Sequence, residues 1–418
     1  MSTQQARRRL PFFYGYVIVL VTFIIAAVVE GSLFSFGIFF KPLLTEFGWT
    51  RTITAGAVSL TSIVHIPVAF AAGRLTDKFG SRQVLATCGF FMGLGLLLMS
   101  LTSTLWHLYF FYGVILATGL GLYWIPIMSI LPRWFVRRRG LMMGILASGI
   151  GVGQLIFPPV VNWLISAYGW RTSFIIIGGI NIVIIMTISQ FLRQDPRQMG
   201  LSPYGESELT LEDSITETEG FSLREAIRTR QFWVLSLIYF NWMFCLSVVL
   251  VHSVIHSIGI GMSPSSAANI LAIIGITGII GRITSGRLAD MFSIKPVLTI
   301  SFAMIATGFL CLLIAEETWM VYLFAAIFGI SYGAFEIMQA PIIAELFGMS
   351  SFGAITALAH NLGIVGFIFG PVVAGYIFDV NNSYLLAFLA CALMAGASSV
   401  FSIFLPLSRS EKNSRLKS

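Results

Sequence analysis

Twelve apolar runs, each long enough to cross a bilayer as a helix, constrain this chain more than any other feature. They lie near residues 14–40, 52–73, 84–102, 106–131, 142–166, 171–192, 232–257, 266–289, 296–314, 319–343, 352–377 and 384–406. A hydrocarbon core about 30 Å thick is crossed by roughly 20 helical residues. The expected fold is therefore an all-α membrane protein with twelve transmembrane helices. Composition supports the same reading, with 57% hydrophobic and 10% charged residues, against about 25% charged in soluble domains. The apolar stretch after "RRRLPFF" is too long for an export signal and shows no small-residue cleavage site, so it is expected to stay as the first span.

The net charge of +7 points to orientation in a membrane, not to nucleic acid, because the basic residues flank the spans. Arg7–Arg9, then Arg74, Lys78 and Arg82, then Arg133 and Arg137–Arg139 fall on one side. Arg193, Arg197, Arg224, Arg228 and Arg230 join them, as do Arg287, Lys295 and the tail residues Arg409, Lys412, Arg415 and Lys417. Only Lys41, Arg51 and Arg171 fall on the other side. Basic loops stay in the cytoplasm, so both termini are expected there. The polar stretch 193–231 carries Asp195, Glu206, Glu208, Glu212, Asp213, Glu217, Glu219 and Glu225 and suits a partly disordered linker. It divides the chain into an N-terminal half (1–192) and a C-terminal half (232–418) of six spans each.

The halves repeat. "GRLTDKFGSR" begins at Gly73 and "GRLADMFSIK" at Gly286, while "FPPVV" begins at Phe157 and "FGPVV" at Phe369. The two offsets agree within one residue. Duplicated six-helix halves are a transporter design, with substrate held near the midplane between them.

One basic residue is left over. Arg282 stands inside the eighth span, where a charge costs a few kcal/mol or more and faces a cavity or a partner. Two acids are comparably deep, Glu30 in the first span and Glu336 in the tenth. The cysteines Cys88, Cys245, Cys311 and Cys391 fall within spans and form no CxxC pair, which suits small core residues. No nucleotide-binding signature stands in a strand–turn–helix context. No metal and no cofactor is expected.

These features together resemble the major facilitator superfamily over essentially all twelve spans. The "G-x-L-x-D" core of "GRLTDKFGSR" is similar to the signature between its second and third helices. Within it, "FGWTR" (Phe47–Arg51), "RWFVRRRG" (Arg133–Gly140), "GIGVGQLIFPPVV", "YGWRTSF", "ELFG" (Glu345–Gly348) and "HNLG" (His360–Gly363) resemble bacterial members of the monocarboxylate transporter family. The resemblance implies that Arg282, at the position of a helix-8 arginine, binds the substrate carboxylate. The neighbouring oxalate:formate antiporters add a helix-11 lysine, which this chain lacks. Animal members carry a helix-1 lysine where this chain has Phe34, and an aspartate one turn before the arginine where it has Gly278. Their proton-coupling scheme therefore does not transfer.

In the resembled fold the first, fourth, seventh and tenth helices line a central cavity. Tyr123 and Tyr332, at corresponding places in the repeat, are candidate substrate contacts. So is His360 in the eleventh span, for contact or gating. Glu30 and Glu336 are candidate proton carriers, as buried carboxyls are in other transporters; the alternative is a fixed pair of one of them with Arg282. His252 and His256 could sense pH, and His65 and His107 suit structural roles. The Gly-rich runs 144–154 and 275–281 let helices approach and slide. The basic inner segments suit anionic lipid head groups.

The expected function is secondary transport of a small monocarboxylate of the lactate or pyruvate type, with a proton, by alternating access. The alternatives are carboxylate exchange of the oxalate:formate type and multidrug efflux. Neither a catalytic pair nor an output domain argues for an enzyme or a sensor. A monomer in the bacterial cytoplasmic (inner) membrane is the expected setting.

Overall fold

A computed structural model describes residues 13–135, 139–205, 220–292, 294–348 and 351–405. Arg7–Arg9, Arg137, Arg138, the linker acids Glu206 to Glu219 and the basic tail from Arg409 lie outside the described residues. Eleven helical stretches among the described residues are long and apolar enough to cross a membrane. They are α1 (Gly15–Phe47), α2 (Arg51–Phe79), α3 (Ser81–Met99) and α4 (Leu105–Leu131), a double stretch Arg139–Ser189, then α7 (Arg230–Gly259), α8 (Pro264–Phe292), α9 (Ile294–Leu313), α10 (Thr318–Phe347), α11 (Phe352–Asn381) and α12 (Leu385–Ile403). The double stretch has 51 residues, about 76 Å at 1.5 Å per residue, more than twice a bilayer core. It breaks at Gly169, whose φ of 77° is non-helical, and so makes two passes, α5 (139–168) and α6 (170–189). Twelve passes result.

No β-strand forms among the described residues; the extended pairings are the isolated bridges Phe135–Tyr204 and Gly220–Gly348. Both tie the linker to helix ends on the face that carries Arg74, Lys78 and Arg82, here called the basic face.

Two departures from regular helix matter. In α4 the helix loosens at Leu122 and Tyr123. Pro126 explains it, since proline offers no N–H to the carbonyl four residues earlier. The other is a one-turn π-helix at Phe111–Leu116.

Small residues set the helix crossings. A Cβ added to Gly275 of α8 would lie 2.8 Å from the Gly151 carbonyl oxygen of α5, so there the two backbones touch. A Cβ on Gly333 of α10 would lie 2.0 Å from the Gly278 oxygen of α8. This second crossing positions the site.

Among the described residues, several hydrogen bonds join the first six helices to the last six midway along the helices or toward the face opposite the basic one. Ser59 of α2 donates to the Ile368 carbonyl of α11, and Asn162 of α5 to Ser265 of α8 at 3.2 Å. At the start of α2, on that opposite face, Thr50 accepts from the Ile53 N–H, while Asp379 of α11 accepts from the N–H groups of Arg51 (3.2 Å) and Thr52 (2.9 Å). The Arg51 guanidinium lies 3.5 Å from the Phe378 ring centroid and donates to the Tyr384 hydroxyl at 2.6 Å. Fully buried His252 of α7 meets that hydroxyl through Nδ1 and the Pro371 carbonyl through Nε2, both at 2.8 Å. Because a carbonyl only accepts, Nε2 carries the proton and Tyr384 donates to Nδ1.

Candidate functional site

Arg282 lies on α8 with 6% of its surface exposed. The close α8–α10 crossing at Gly278 and Gly333 places it beside Glu336 of α10. Nε and Nη2 of the guanidinium both donate to one carboxylate oxygen, Oε2, at 2.9 and 2.5 Å. The pair is nearly dry, with 5% of the arginine side chain and 19% of the glutamate side chain exposed.

Glu336 occupies only the Nε side of the guanidinium. Nη1 is buried and has no hydrogen-bond partner. The edge formed by Nη1 and the second hydrogen of Nη2, with the Tyr332 hydroxyl as its polar neighbour, has the donor pattern that matches two carboxylate oxygens.

Tyr332 stands one turn before Glu336 on α10, so both share a face. Its ring centroid lies 5.4 Å from the guanidinium carbon and is flanked by the rings of Trp242 of α7 (5.9 Å, 10° between planes) and Phe328 (6.5 Å, 1°). Tyr123, at the loosened turn of α4, is fully buried and its hydroxyl has no partner in hydrogen-bond geometry. Half-buried Glu30 of α1 stands beside that hydroxyl and within electrostatic reach of Glu336 and Arg282. The sequence candidates Arg282, Glu336, Tyr332, Tyr123 and Glu30 thus come from α1, α4, α8 and α10 to one place.

His360 of α11 is brought instead to His65 of α2, and no contact between it and Arg282 is found among the described residues. Gln154 of α5 enters the site without having been singled out as a candidate. It is 0% exposed and has the Tyr332 hydroxyl as its polar neighbour, while neither its Oε1 nor its Nε2 meets any group in full hydrogen-bond geometry. Its signal in the sequence was a long amide inside a run of glycines and aliphatic residues, at the α5–α8 crossing. Among the described residues no group of three or more His, Cys, Asp or Glu side chains is arranged to hold a metal.

Bilayer-length helices gathered around a buried cation with unfilled donors define a multi-pass membrane transporter. The chain belongs to the Major Facilitator Superfamily, whose family model matches residues 22–296 and 259–418. Among its relatives, monocarboxylate transporter 13 of Bos taurus is 26% identical, over 94% of this chain and 89% of that protein. Monocarboxylate transporter 4 of Rattus norvegicus is 28% identical over 92% and 80%. Among solved structures, the partially occluded inward-open xylose transporter XylE from E. coli matches with a TM-score of 0.72 and 17% identity, over 94% of this chain and 98% of that one. An inward-facing bacterial homologue of the lysosomal transporter Spinster matches at 0.66 and 17%, over 94% and 95%. The protein is an integral multi-pass transporter and not an enzyme.

Proposed function

We propose that this protein carries small monocarboxylates of the lactate and pyruvate type together with a proton. The observation that carries the reading is the Arg282–Glu336 pair, in which one carboxylate oxygen takes the Nε side and leaves Nη1 without a partner. An incoming carboxylate takes the open edge, the Tyr123 hydroxyl donates to it, and the Tyr332 ring packs on the short alkyl chain. The relatives' names point to the same substrate class.

Glu336 neutralises Arg282 while the site is empty. Protonating Glu336, or Glu30 beside it, frees positive charge for the anion, so loading favours proton and carboxylate together. Symport is then linkage between two sites. His360, beside His65, lies outside the pocket in this reading. The halves 1–192 and 232–418 rock about the α5–α8 and α2–α11 contacts, with 193–231 as a cytoplasmic linker. Basic loops retained inside make the basic face cytoplasmic in a bacterial inner membrane, with the protein acting as a monomer among anionic lipids. A lone buried cation suits an anion better than the cationic drugs of multidrug effluxers, and the absence of a helix-11 lysine suits a singly charged substrate over oxalate exchange.

The test is uptake of labelled two- to four-carbon monocarboxylates into proteoliposomes with an imposed pH gradient. Accumulation with acid outside, abolished by a protonophore, is expected. Absence of uptake of every acid in the series refutes the carboxylate reading, and uptake indifferent to the gradient refutes the coupling.

A further inference from the structure

We propose that Gln154 reads the second carbon of the substrate, so that the pocket prefers monocarboxylates with a hydroxyl or oxo group there over unsubstituted acids of the same length. The inference rests on the carboxylate reading of Arg282.

Gln154 brings a donor and an acceptor into the site, and the Tyr332 hydroxyl is their polar neighbour. Both its amide atoms are buried and unpartnered, and an unmade hydrogen bond on a buried group costs about 1–3 kcal/mol. Buried amides are retained in protein interiors with partners, so an amide with only the Tyr332 hydroxyl beside it, next to an Arg282 Nη1 that also lacks an acceptor, points to a ligand. Gln154 does not turn back onto its own helix, whereas Gln190 donates to the Met186 carbonyl four residues earlier at 2.9 Å.

Position along α8 connects the two unfilled groups. A Cβ on Gly275 would lie 2.8 Å from the Gln154 Cβ, and one on Gly278 would lie 3.7 Å from Arg282 Nη1. Helical side chains lean toward the N-terminus, which is how the arginine's free nitrogen comes back to the level of Gly278. Gly275 and Gly278 are three residues apart, about 4.5 Å along the axis. The open edge of Arg282 and the root of the Gln154 side chain are therefore offset by less than one turn, with Tyr332 against both. A carboxylate seated on Nη1 directs its neighbouring carbon into that interval.

The amide suits two substituents. A hydroxyl can donate to Oε1 and accept from Nε2, whereas an oxo group accepts from Nε2 alone. A hydrogen or methyl group fills neither role and leaves the amide as it is in the empty site. Pockets built to bond a polar substituent reject analogues lacking it far more strongly than apolar pockets sort by size.

The experiment measures direct uptake of labelled lactate, pyruvate, propionate and acetate by full-length protein in liposomes, for the wild type, Gln154→Met and Gln154→Asn. The wild type should favour lactate and pyruvate over propionate by about tenfold to a hundredfold in half-saturation. Gln154→Met, close in volume and apolar, should bring that ratio near one, and Gln154→Asn should leave it between the two. A wild type that does not distinguish lactate from propionate overturns the inference while carboxylate transport stands. So does a Met variant that keeps the ratio. A wild type without the preference overturns the inference whether or not a variant folds, and if Gln154→Met does not insert, a Gln154→Asn ratio equal to that of the wild type overturns it. Uptake of none of the four acids overturns the carboxylate reading itself, and the inference with it.

Discussion

Removing the two charges of the Arg282–Glu336 pair, singly and together, separates what the pair does for the fold from what it does for the substrate. Arg282→Gln alone strands a carboxylate that is 19% exposed and loses the N–H donors now at 2.9 and 2.5 Å. Breaking a buried pair by deleting one partner costs about 3–5 kcal/mol, whereas replacing both charges is close to neutral. The double variant Arg282→Gln with Glu336→Gln should therefore melt near the wild type, with the amides bonding each other. Substrate binding behaves differently. Two hydrogen bonds from a charged fork contribute about 1.5–3 kcal/mol each, together roughly 3–6 kcal/mol. At 1.4 kcal/mol per decade that is about 10²–10⁴ in affinity, and the double variant loses all of it. Arg282→Lys keeps the charge but not the fork and should recover only a small part. The assay combines thermal melting in detergent, with and without labelled lactate, and counterflow in liposomes. A double variant that is folded and exchanges carboxylate at near wild-type rates would refute the clamp.

Three other outcomes follow from the site and its crossings. Glu30→Gln and Glu336→Gln are expected to retain exchange, while the one that carries the proton loses accumulation driven by a pH gradient; if the singles and the double all keep it, the coupling proton sits elsewhere. With Cys88, Cys245, Cys311 and Cys391 replaced, Gly278→Cys and Tyr332→Cys should be shielded from thiol reagents by substrate; labelling indifferent to substrate at both positions would contradict the pocket. Gly275→Leu should block transport, since even a Cβ there meets the Gly151 oxygen at 2.8 Å, whereas Gly396→Leu, with nothing within 4 Å, should not; the check is uptake per correctly inserted protein, and equal rates would show that the α5–α8 contact is not a working surface.

Much of the fold is legible in the sequence because lipid imposes one solution on a long apolar run. The twelve passes follow from length and hydropathy, and even the merged stretch 139–189 divides at Gly169, inside the gap left between the fifth and sixth runs. The π-turn at Phe111 and the extent of α1 to Phe47 are not legible, because propensity does not report where a helix slips a hydrogen bond or projects beyond lipid. Within the site, Arg282, Glu30 and Glu336 stand out because charge inside an apolar run is costly wherever it is. Which acid meets the arginine does not stand out, since it depends on the backbone contact between Gly278 and Gly333. Gln154 is hidden for a related reason. Its neutral amide disturbs hydropathy little, and its place beside Tyr332 exists only once the helices have packed.

The start of α2 has a kinetic consequence. Of its first backbone N–H groups, Thr50 satisfies one locally, and Asp379, from a helix in the other half of the chain, satisfies two. Separating the halves on that side strips the cap and hands those groups to water, and caps contribute about 1 kcal/mol. Taken alone, a bias of that size holds the form open on that face at roughly a fifth of the form closed there, and apparent affinity falls with the fraction of competent molecules. One pocket with a single intrinsic constant would then show two half-saturation values, weaker from the face where α2 begins than from the basic face. Sidedness of this kind needs no second site and no asymmetry in the pocket; it is written into the way one helix begins.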